Sequence, residues 1–316
     1  MKKFGLIGNP ITHSKSPDLF AAAYPTYPFT YSLIEADTVE QAMDRFLSEG
    51  YTGINVTAPF KDSVFKYITH PDRVSSLLGS ANIVLRKGGH KEELHSYNSD
   101  YYGVKNTINQ LRSHSLHSIE QALVIGAGGA GKAAALALKD LGIKTFLANR
   151  TPAPAIEFIT KANASDQAPK NLLQGKDPAD NSEKDNLLQT YDLEFIPLLQ
   201  IPQYAAKCRL IIYSLSFKLE EMEHINLSGK IIFEANYAHP QLDPQMKPQG
   251  NPQTAPHDNP PSDPAQQNCD PFKNSPAQPY LYISGKYWLY NQAIPAFQLF
   301  TGVDPNTEAM RNIICL

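Results

Sequence analysis

The sequence has little cysteine, and the three copies lie far apart at Cys208, Cys269 and Cys315. An odd number of distant cysteines with no CxxC pair argues against a disulfide framework and against a zinc site. The nine histidines show no HExxH or similar spacing. We therefore expect no metal among the groups that do the chemistry.

Long apolar runs and an excess of one charge are also missing. No apolar run approaches the ~18 residues that span a bilayer, and a net charge of −3 gives no strongly basic surface. The basic and apolar start at 1–7 is cut short by Gly8-Asn9-Pro10, so we expect no signal peptide. These absences predict a cytoplasmic enzyme with a small-molecule substrate. Neither nucleic acid nor membrane is expected as a partner, and monomer and homodimer both stay open.

Proline is in excess, with 25 copies in 316 residues, where roughly 16 would be usual. Ten of them fall between Gln241 and Pro279, in a polar window without helical or strand periodicity. We interpret about 241–279, and a second polar stretch at about 163–190, as insertions at the surface. The chain as a whole, 42% hydrophobic and 19% charged, has the composition of a packed protein.

Strand and helix patterns alternate along the chain. Strands are predicted at 3–8, 29–36, 53–57, 81–86, 122–125, 144–148, 210–213 and 230–233. Helices are predicted at 18–24, 39–49, from Pro59 onward, 103–112, 132–141 and 287–300, with a short one at the end. The alternation predicts an α/β fold with a mostly parallel sheet, and the length suggests two domains with a junction near 103–118.

A glycine cluster, Gly126-Ala127-Gly128-Gly129-Ala130-Gly131, lies between an apolar strand and an alanine-rich helix. In this context GxGxxG predicts dinucleotide binding. One glycine makes the turn, one admits the pyrophosphate, one lets helix pack on strand, and the helix N-terminus faces the phosphates. The next strand ends at Asn149-Arg150-Thr151 with no carboxylate. Arg150 suits a 2′-phosphate, so the predicted cofactor is NADP(H) rather than NAD(H).

Further polar motifs occur at predicted element ends: GNPITHSKSP at 8–17, NVTAPFK at 55–61, GSANI at 79–83 and NSDYYG at 98–103. In open α/β sheets, ligands bind at such edges. With GAGGA at 126–130, NRT at 149–151 and the 285–292 segment GKYWLYNQ, these motifs stand in the order typical of shikimate dehydrogenase, and the chain resembles that family from Gly5 to about Phe300.

The resemblance implies a substrate-binding catalytic domain at 1–103, joined by C-terminal helices at about 290–316, and a Rossmann-type NADP-binding domain at 104–289. It implies reversible NADPH-dependent reduction of 3-dehydroshikimate to shikimate. Ser14 and Ser16 would bind the substrate carboxylate, and Thr57, Asn82 and Gln292 the ring hydroxyls or the carboxylate region. Lys61 and Asp100 would form the catalytic pair, with Asn55 supporting the pocket. The cofactor would contact Gly126, Gly128, Gly129, Gly131, Asn149, Arg150, Thr151, Gly285 and Trp288.

Residue chemistry agrees with the catalytic pair, since hydride addition to a ketone builds negative charge on oxygen that a nearby cation stabilises and a proton donor quenches. Lys61 is expected near the start of the helix from Pro59, and Asp100 near the start of another helix. Whether Lys61 donates the proton or mainly stabilises charge stays open. Ser16 and Asp100 also have a simpler interpretation as helix caps.

The sequence departs from the family pattern mainly on the nicotinamide side. Ile83 replaces a threonine, Trp288 replaces a methionine and would stack on or crowd the nicotinamide, the turn 213–216 is altered, and Glu234 begins a DxxY-like turn ending at Tyr237. Two alternatives follow: a quinate/shikimate dehydrogenase with relaxed cofactor or substrate use, and a non-catalytic ligand-binding homologue. Methylenetetrahydrofolate dehydrogenase shares the two-domain layout but fits Ser14, Ser16, Lys61 and Asp100 poorly.

Overall fold

The computed structural model of the chain describes residues 1–88, 93–114, 118–165, 191–244 and 279–314. The proline-rich window between 245 and 278, and the insertion from 166 to 190, lie outside the described residues. Within the described part, no helix is long and apolar enough to cross a membrane.

The first half of the chain forms a 6-stranded mixed sheet in the order β2-β1-β3-β5-β6-β4. Its strands are β1 (Lys2–Gly8), β2 (Phe29–Glu35), β3 (Gly53–Val56), β4 (His70–Pro71), β5 (Ile83–Lys87) and β6 (Glu93–Tyr97). Helices α1 (Ser16–Ala23), α2 (Val39–Ser48) and α3 (Arg73–Leu78) and a 3₁₀-helix (Ser63–Tyr67) connect them. The β1 strand is parallel to β2 and β3, whereas β5 runs antiparallel to β3 and β6.

Helix α4 (Ser99–His114) leads into the second sheet. This sheet contains β7 (Gln121–Ile125), β8 (Lys144–Ala148), β9 (Glu194–Ile196), β10 (Leu210–Tyr213), β11 (Ile231–Glu234) and β12 (Leu281–Ile283). Helices α5 (Gly129–Asp140), α6 (Pro152–Ala164) and α7 (Ile201–Lys207), with short 3₁₀-helices at Leu198–Gln200 and Glu220–His224, belong to this part. The chain ends with α8 (Gly285–Thr301) and α9 (Thr307–Ile313).

The second sheet is parallel throughout, in the order β12-β11-β10-β7-β8-β9. This is the doubly-wound Rossmann order, in which strands are added on one side of the first strand and, from the fourth strand on, on its other side. The switch point, where such folds bind ligands, lies here between β7 and β10, and the glycine loop follows β7 in the chain. The α/β fold class with a Rossmann-type second half is therefore confirmed.

Helix α8 bridges the two halves. Near its start, Trp288 packs on Phe233 of the second sheet, with ring centroids 5.3 Å apart. Near its end, Phe300 stacks on Phe4 of the first sheet at 4.8 Å. The helix also lies along α4, where a Cβ on Gly103 would come within 2.8 Å of the Trp288 ring. Helix α8 is apolar along most of its length because its start packs in the core of the second half and its end packs in the core of the first half.

A polar clasp also links the halves. Arg73 of α3 donates two hydrogen bonds to Asp140 of α5, at 2.7 and 3.2 Å, and the Tyr101 hydroxyl donates a third at 2.7 Å. Burial, and then the Asp140 charge, raise the pKa of Tyr101 well above its usual range, so the hydroxyl remains a neutral donor. Since Tyr101 follows Asp100, the clasp fixes the start of α4 against the second half.

Two local expectations are wrong. No helix starts at Pro59: the Phe60 amide donates to Thr57 O at 3.0 Å in a turn, and only Ser63–Tyr67 is helical, as a 3₁₀-helix. Phe60 and Val64 both lie in the core beside α2, where they are 4% and 0% exposed. Ser16 is not the N-cap of α1. That position is Lys15, whose carbonyl accepts the first helical hydrogen bond, from the Leu19 N–H at 3.0 Å, while the Ser16 hydroxyl bonds to the Ser14 hydroxyl.

Candidate functional site

The site is a cavity of about 480 Å³ between the two halves. It lies beyond the carboxyl ends of β1 and β3, and the glycine loop and the start of α8 form its far side. The predicted residues that line it are Ser14, Ser16, Thr57, Lys61, Asn82, Asp100, Gly285, Trp288 and Gln292. Ala130 of the glycine loop lines the same cavity, so the predicted catalytic pair and nucleotide loop share one space.

Lys61 and Asp100 form an ion pair at the cavity wall. The Lys61 Nζ atom donates to Asp100 Oδ2 at 2.6 Å, and the two side chains are 26% and 6% exposed. Lys61 lies in the turn after β3 and not in a helix, so its expected position near the start of a helix from Pro59 is wrong. Asp100 lies in the first turn of α4, where the helix dipole favours a carboxylate.

Amide side chains hold the start of α4 in place. The Asp100 backbone N–H donates to Asn98 Oδ1 at 3.1 Å, and the Ser99 N–H donates to Asn82 Oδ1 at 2.7 Å. Asn98 in turn donates to Ser80, at 3.4 Å. Because the oxygen of the Asn82 amide is engaged in this way, its Nδ2 donor is the group left to meet a ligand.

The serine pair and its surroundings form a second polar wall. The Ser14 hydroxyl donates to Ser16 Oγ at 3.2 Å, so the hydrogen of the Ser16 hydroxyl can point to another acceptor. Behind them, the Tyr31 hydroxyl donates to Asn55 Oδ1 at 2.8 Å and Asn55 donates to Asn82 O at 3.3 Å. Burial raises the pKa of Tyr31, which keeps it a neutral donor. Tyr31 was missed from the sequence, since only the pairing of β2 with β1 brings it near Asn55.

Thr57 and Gln292 face the cavity from opposite sides. The Thr57 N–H donates to Ile7 O at 2.9 Å. The Thr57 methyl group would be only 2.4 Å from a Cβ added to Gly8, so glycine at that position makes room for it. Gln292 Oε1 is buried yet accepts no hydrogen bond from the residues that the structure describes. A buried acceptor without a donor costs free energy, so a ligand donor, such as a hydroxyl group, would complete it.

The glycine loop has the shape that a dinucleotide requires. Gly126 has φ 102°, in the left-handed region that favours glycine. A Cβ on Gly131 would come within 1.9 Å of Gly126 O, so α5 packs on the loop only with glycine there. Gly128 and Gly129 would meet nothing within 4 Å, which leaves open space at the N-terminus of α5. The residues present therefore fit a dinucleotide pyrophosphate at this position.

The end of β8 is tied to the same loop. Asn149 accepts a hydrogen bond from the Ala127 N–H at 3.1 Å and donates to Thr151 O at 2.9 Å. Arg150 is exposed, and it forms no ion pair with any of the residues that the structure describes. Asn149 thus acts on the loop itself, while the Arg150 guanidinium is available to an anionic ligand.

Gly285 and Trp288 occupy the cavity side of α8. A Cβ on Gly285 would come within 2.3 Å of Ala235 O, so glycine allows the helix start to approach β11. Trp288 is only 4% exposed, because its indole packs between Phe233 and Gly103. Trp288 lines the cavity, and stacking on a nicotinamide stays a prediction.

Two altered residues of the nicotinamide side have structural roles. The Ser214 hydroxyl donates to Ile125 O at 2.9 Å, beside the glycine loop. Buried Glu234 accepts from the Leu242 N–H at 3.1 Å and the Tyr282 hydroxyl at 2.8 Å, and burial raises its pKa. Tyr237, which the sequence analysis gave no role in the site, also lines the cavity.

Fold and site together define a two-domain α/β protein with a Rossmann-type half and a Lys–Asp pair in the cleft. The family described as shikimate dehydrogenase substrate binding domain matches residues 6–84. The resemblance of the chain to shikimate dehydrogenases is confirmed.

Similar proteins agree with this assignment. The NADP(+) shikimate dehydrogenase of Natronomonas pharaonis is 35% identical over 165 residues, which span 51% of this chain and 60% of that protein. The chain thus matches about 60% of the length of this curated relative. A Thermus thermophilus shikimate 5-dehydrogenase, solved with NADP(H) and shikimate, is 20% identical with a TM-score of 0.67, covering 100% of this chain and 99% of that one. A Corynebacterium glutamicum quinate dehydrogenase solved with NAD is 18% identical with a TM-score of 0.70, covering 99% and 98%. The two structures support the fold alone.

Proposed function

We propose that this chain is an NADP-dependent shikimate dehydrogenase that reversibly reduces 3-dehydroshikimate to shikimate. One observation carries the proposal: the Lys61–Asp100 ion pair, at 2.6 Å, lies in the same cavity as the glycine loop. A cation paired with a nearly buried carboxylate, within reach of a dinucleotide site, suits the reduction of a carbonyl group. The match of residues 6–84 to the shikimate dehydrogenase substrate binding domain supports a substrate of the shikimate type.

In this proposal, the chain's residues divide the work on a cyclic hydroxy-acid substrate. Ser14 and Ser16 bind the carboxylate, since the Ser16 hydroxyl has a hydrogen to donate. Thr57 and the Asn82 Nδ2 group contact ring hydroxyls, and Gln292 Oε1 accepts from another. These contacts hold the ring with its keto group toward Lys61, which lowers the entropic cost of reaction.

Bound NADPH would supply the hydride. Lys61 Nζ would stabilise the negative charge that builds on the carbonyl oxygen and stand ready to pass it a proton. Asp100 holds the ammonium group in position through the 2.6 Å hydrogen bond and is itself fixed through its N–H to Asn98. In the reverse direction, the same pair would receive the proton of the shikimate hydroxyl.

Cofactor binding is assigned to the second half of the chain. The pyrophosphate site is shaped by four glycines, Gly126, Gly128, Gly129 and Gly131. Beside it, the Asn149 side chain accepts from the Ala127 N–H and donates to Thr151 O, which fixes the end of β8 against the loop. Gly285 and Trp288 lie toward the nicotinamide. This division corresponds to a substrate domain at 1–103 with the C-terminal helices and an NADP domain at 104–289.

A steady-state assay of NADPH absorbance with 3-dehydroshikimate tests the function. We expect turnover with NADPH, and in reverse with shikimate and NADP+. Preferential turnover of quinate with NAD+ would instead identify a quinate/shikimate dehydrogenase. Binding of 3-dehydroshikimate with no turnover in either direction would contradict the proposal and favour a ligand-binding role.

Arg150 sets the cofactor preference in this proposal. We expect Arg150→Ala to reduce the ratio of kcat/KM for NADPH to that for NADH at least ~10-fold, because a charge-assisted contact to the 2′-phosphate is lost. Lys144→Ala, which removes a cation from the other end of β8, is the matched control and should leave the ratio unchanged. An unaltered ratio in Arg150→Ala would rule out this role.

A further inference from the structure

The far edge of the first sheet brings two histidines and a glutamate together. His70 of β4 pairs in register with His95 of β6, so the two side chains emerge on the same face of the sheet. Glu93 is two residues before His95 on β6, and alternation places it on that face too. One ligand atom from each residue lies within 4.8 Å of the others. The strand pairing itself therefore builds the cluster.

Thr69 lies against the Nδ1 side of the His70 ring. Its Oγ1 atom is 3.0 Å from His70 Nδ1 and accepts from the Leu94 N–H at 2.9 Å. In the tautomer with a hydrogen on Nδ1, that nitrogen donates to Thr69 Oγ1, the Thr69 hydroxyl donates to Leu94 O at 3.2 Å, and the lone pair of the ring lies on Nε2. A hydrogen bond from the other ring nitrogen is the usual way in which a histidine ligand is oriented.

His95 presents its Nε2 atom to the same space. That atom is buried and has no hydrogen-bond partner among the residues the structure describes, and Glu93 Oε2 is 3.6 Å from it. The Lys87 side chain, on the residue of β5 that pairs with Glu93, opposes a cation here, and the Glu93 carboxylate offsets that charge.

We propose that His70, Glu93 and His95 bind a divalent transition metal ion, Zn²⁺ above all, with water as the fourth ligand. Imidazole nitrogens and one carboxylate are a donor set that Zn²⁺ accepts. A tetrahedral site needs donor atoms about 3.3 Å apart, closer than the present outer limit of 4.8 Å. Rotation of the exposed His70 and Glu93 side chains can supply this difference.

The ion would fasten the edge of the sheet. Strand β4 has only two residues and lies at the edge of the described sheet, where it pairs with β6. A metal ion bound by both His70 and His95 would add a second link between these two strands. None of the three ligands lines the substrate cavity. The expected consequence is higher stability of the folded protein in the presence of the ion, since the ligand binds the native state.

Titration of the tag-free chain of 316 residues with Zn²⁺ in a calorimeter tests the site, with Tm measured in parallel. We expect wild type to bind one Zn²⁺ with a rise in Tm, and Co²⁺ to give the visible absorption of a tetrahedral site. His70→Ala and Glu93→Gln change exposed side chains, and each should weaken Zn²⁺ binding at least ~10-fold. His224→Ala removes an exposed histidine outside the cluster and should bind as wild type does.

Three results would overturn the proposal: no saturable Zn²⁺ binding to wild type, equal affinity in wild type and His70→Ala, or an equal loss in His224→Ala. Circular dichroism of each variant without metal shows that the fold is kept. A loss of Zn²⁺ affinity with an unchanged spectrum then reports on the ligands themselves.

Discussion

A Lys61→Ala variant is expected to lose at least ~10²-fold in kcat, with a smaller change in KM for 3-dehydroshikimate. An acid–base or charge-stabilising group contributes on this scale because it acts in the transition state. Among the described residues that line the cavity, Lys61 is the only lysine or arginine, so no neighbouring cation can replace it. Steady-state kinetics in both directions, with circular dichroism as a check on the fold, measures the effect.

Two further variants sharpen this experiment. Lys66→Ala is the matched control, because Lys66 lies five positions later in the chain and forms an exposed ion pair with Glu40; its kcat should remain near wild type. Lys61→Arg keeps the charge but removes a proton that can be transferred readily. Partial activity in Lys61→Arg would indicate charge stabilisation, and activity as low as that of Lys61→Ala would indicate proton donation. A kcat for Lys61→Ala within a factor of a few of wild type would contradict any catalytic role.

Most of the fold could be predicted from the sequence where the pattern is long or carries turn chemistry. The apolar strand 122–125, the glycine loop and the alanine-rich helix after it are all present, because each local preference agrees with its neighbours. The sequence patterns do not predict α3, α6, α7 or the strands β4, β6, β9 and β12. Most of these elements are short or have a proline in their first turn, and their stability comes from packing that a sequence window does not contain.

The site shows the same division. Motif order predicted that Lys61 and Asp100 act together, and the structure places their charged atoms 2.6 Å apart. The predicted local setting of Lys61 was wrong, since Lys61 lies in a turn and the helical segment begins only at Ser63, as a 3₁₀-helix. The His70–His95 contact arises from the pairing of β4 with β6, which are separated in the sequence by α3 and β5, and no local histidine spacing could have indicated it.

A Gly131→Ala variant should lose both stability and NADP(H) affinity. Its Cβ would sit 1.9 Å from Gly126 O, and a backbone oxygen cannot rotate away as a side chain can. The loop and the start of α5 must separate, at a cost of about 1–3 kcal/mol for overpacking, and the amides that face the pyrophosphate move with them. We expect a lower Tm and NADPH binding weakened at least ~10-fold, measured by thermal unfolding and by fluorescence titration.

Gly128→Ala separates contact with the cofactor from damage to the loop. Gly128 has φ −73°, which alanine adopts freely, and an added Cβ would meet nothing within 4 Å in the free protein. Its Tm should therefore equal that of wild type. If the pyrophosphate occupies the open space at the N-terminus of α5, this one methyl group still weakens NADPH binding. If Gly128→Ala binds NADPH as tightly as wild type, the phosphates lie elsewhere. If Gly131→Ala keeps the wild-type Tm and NADPH affinity, the loop does not need the close approach of α5.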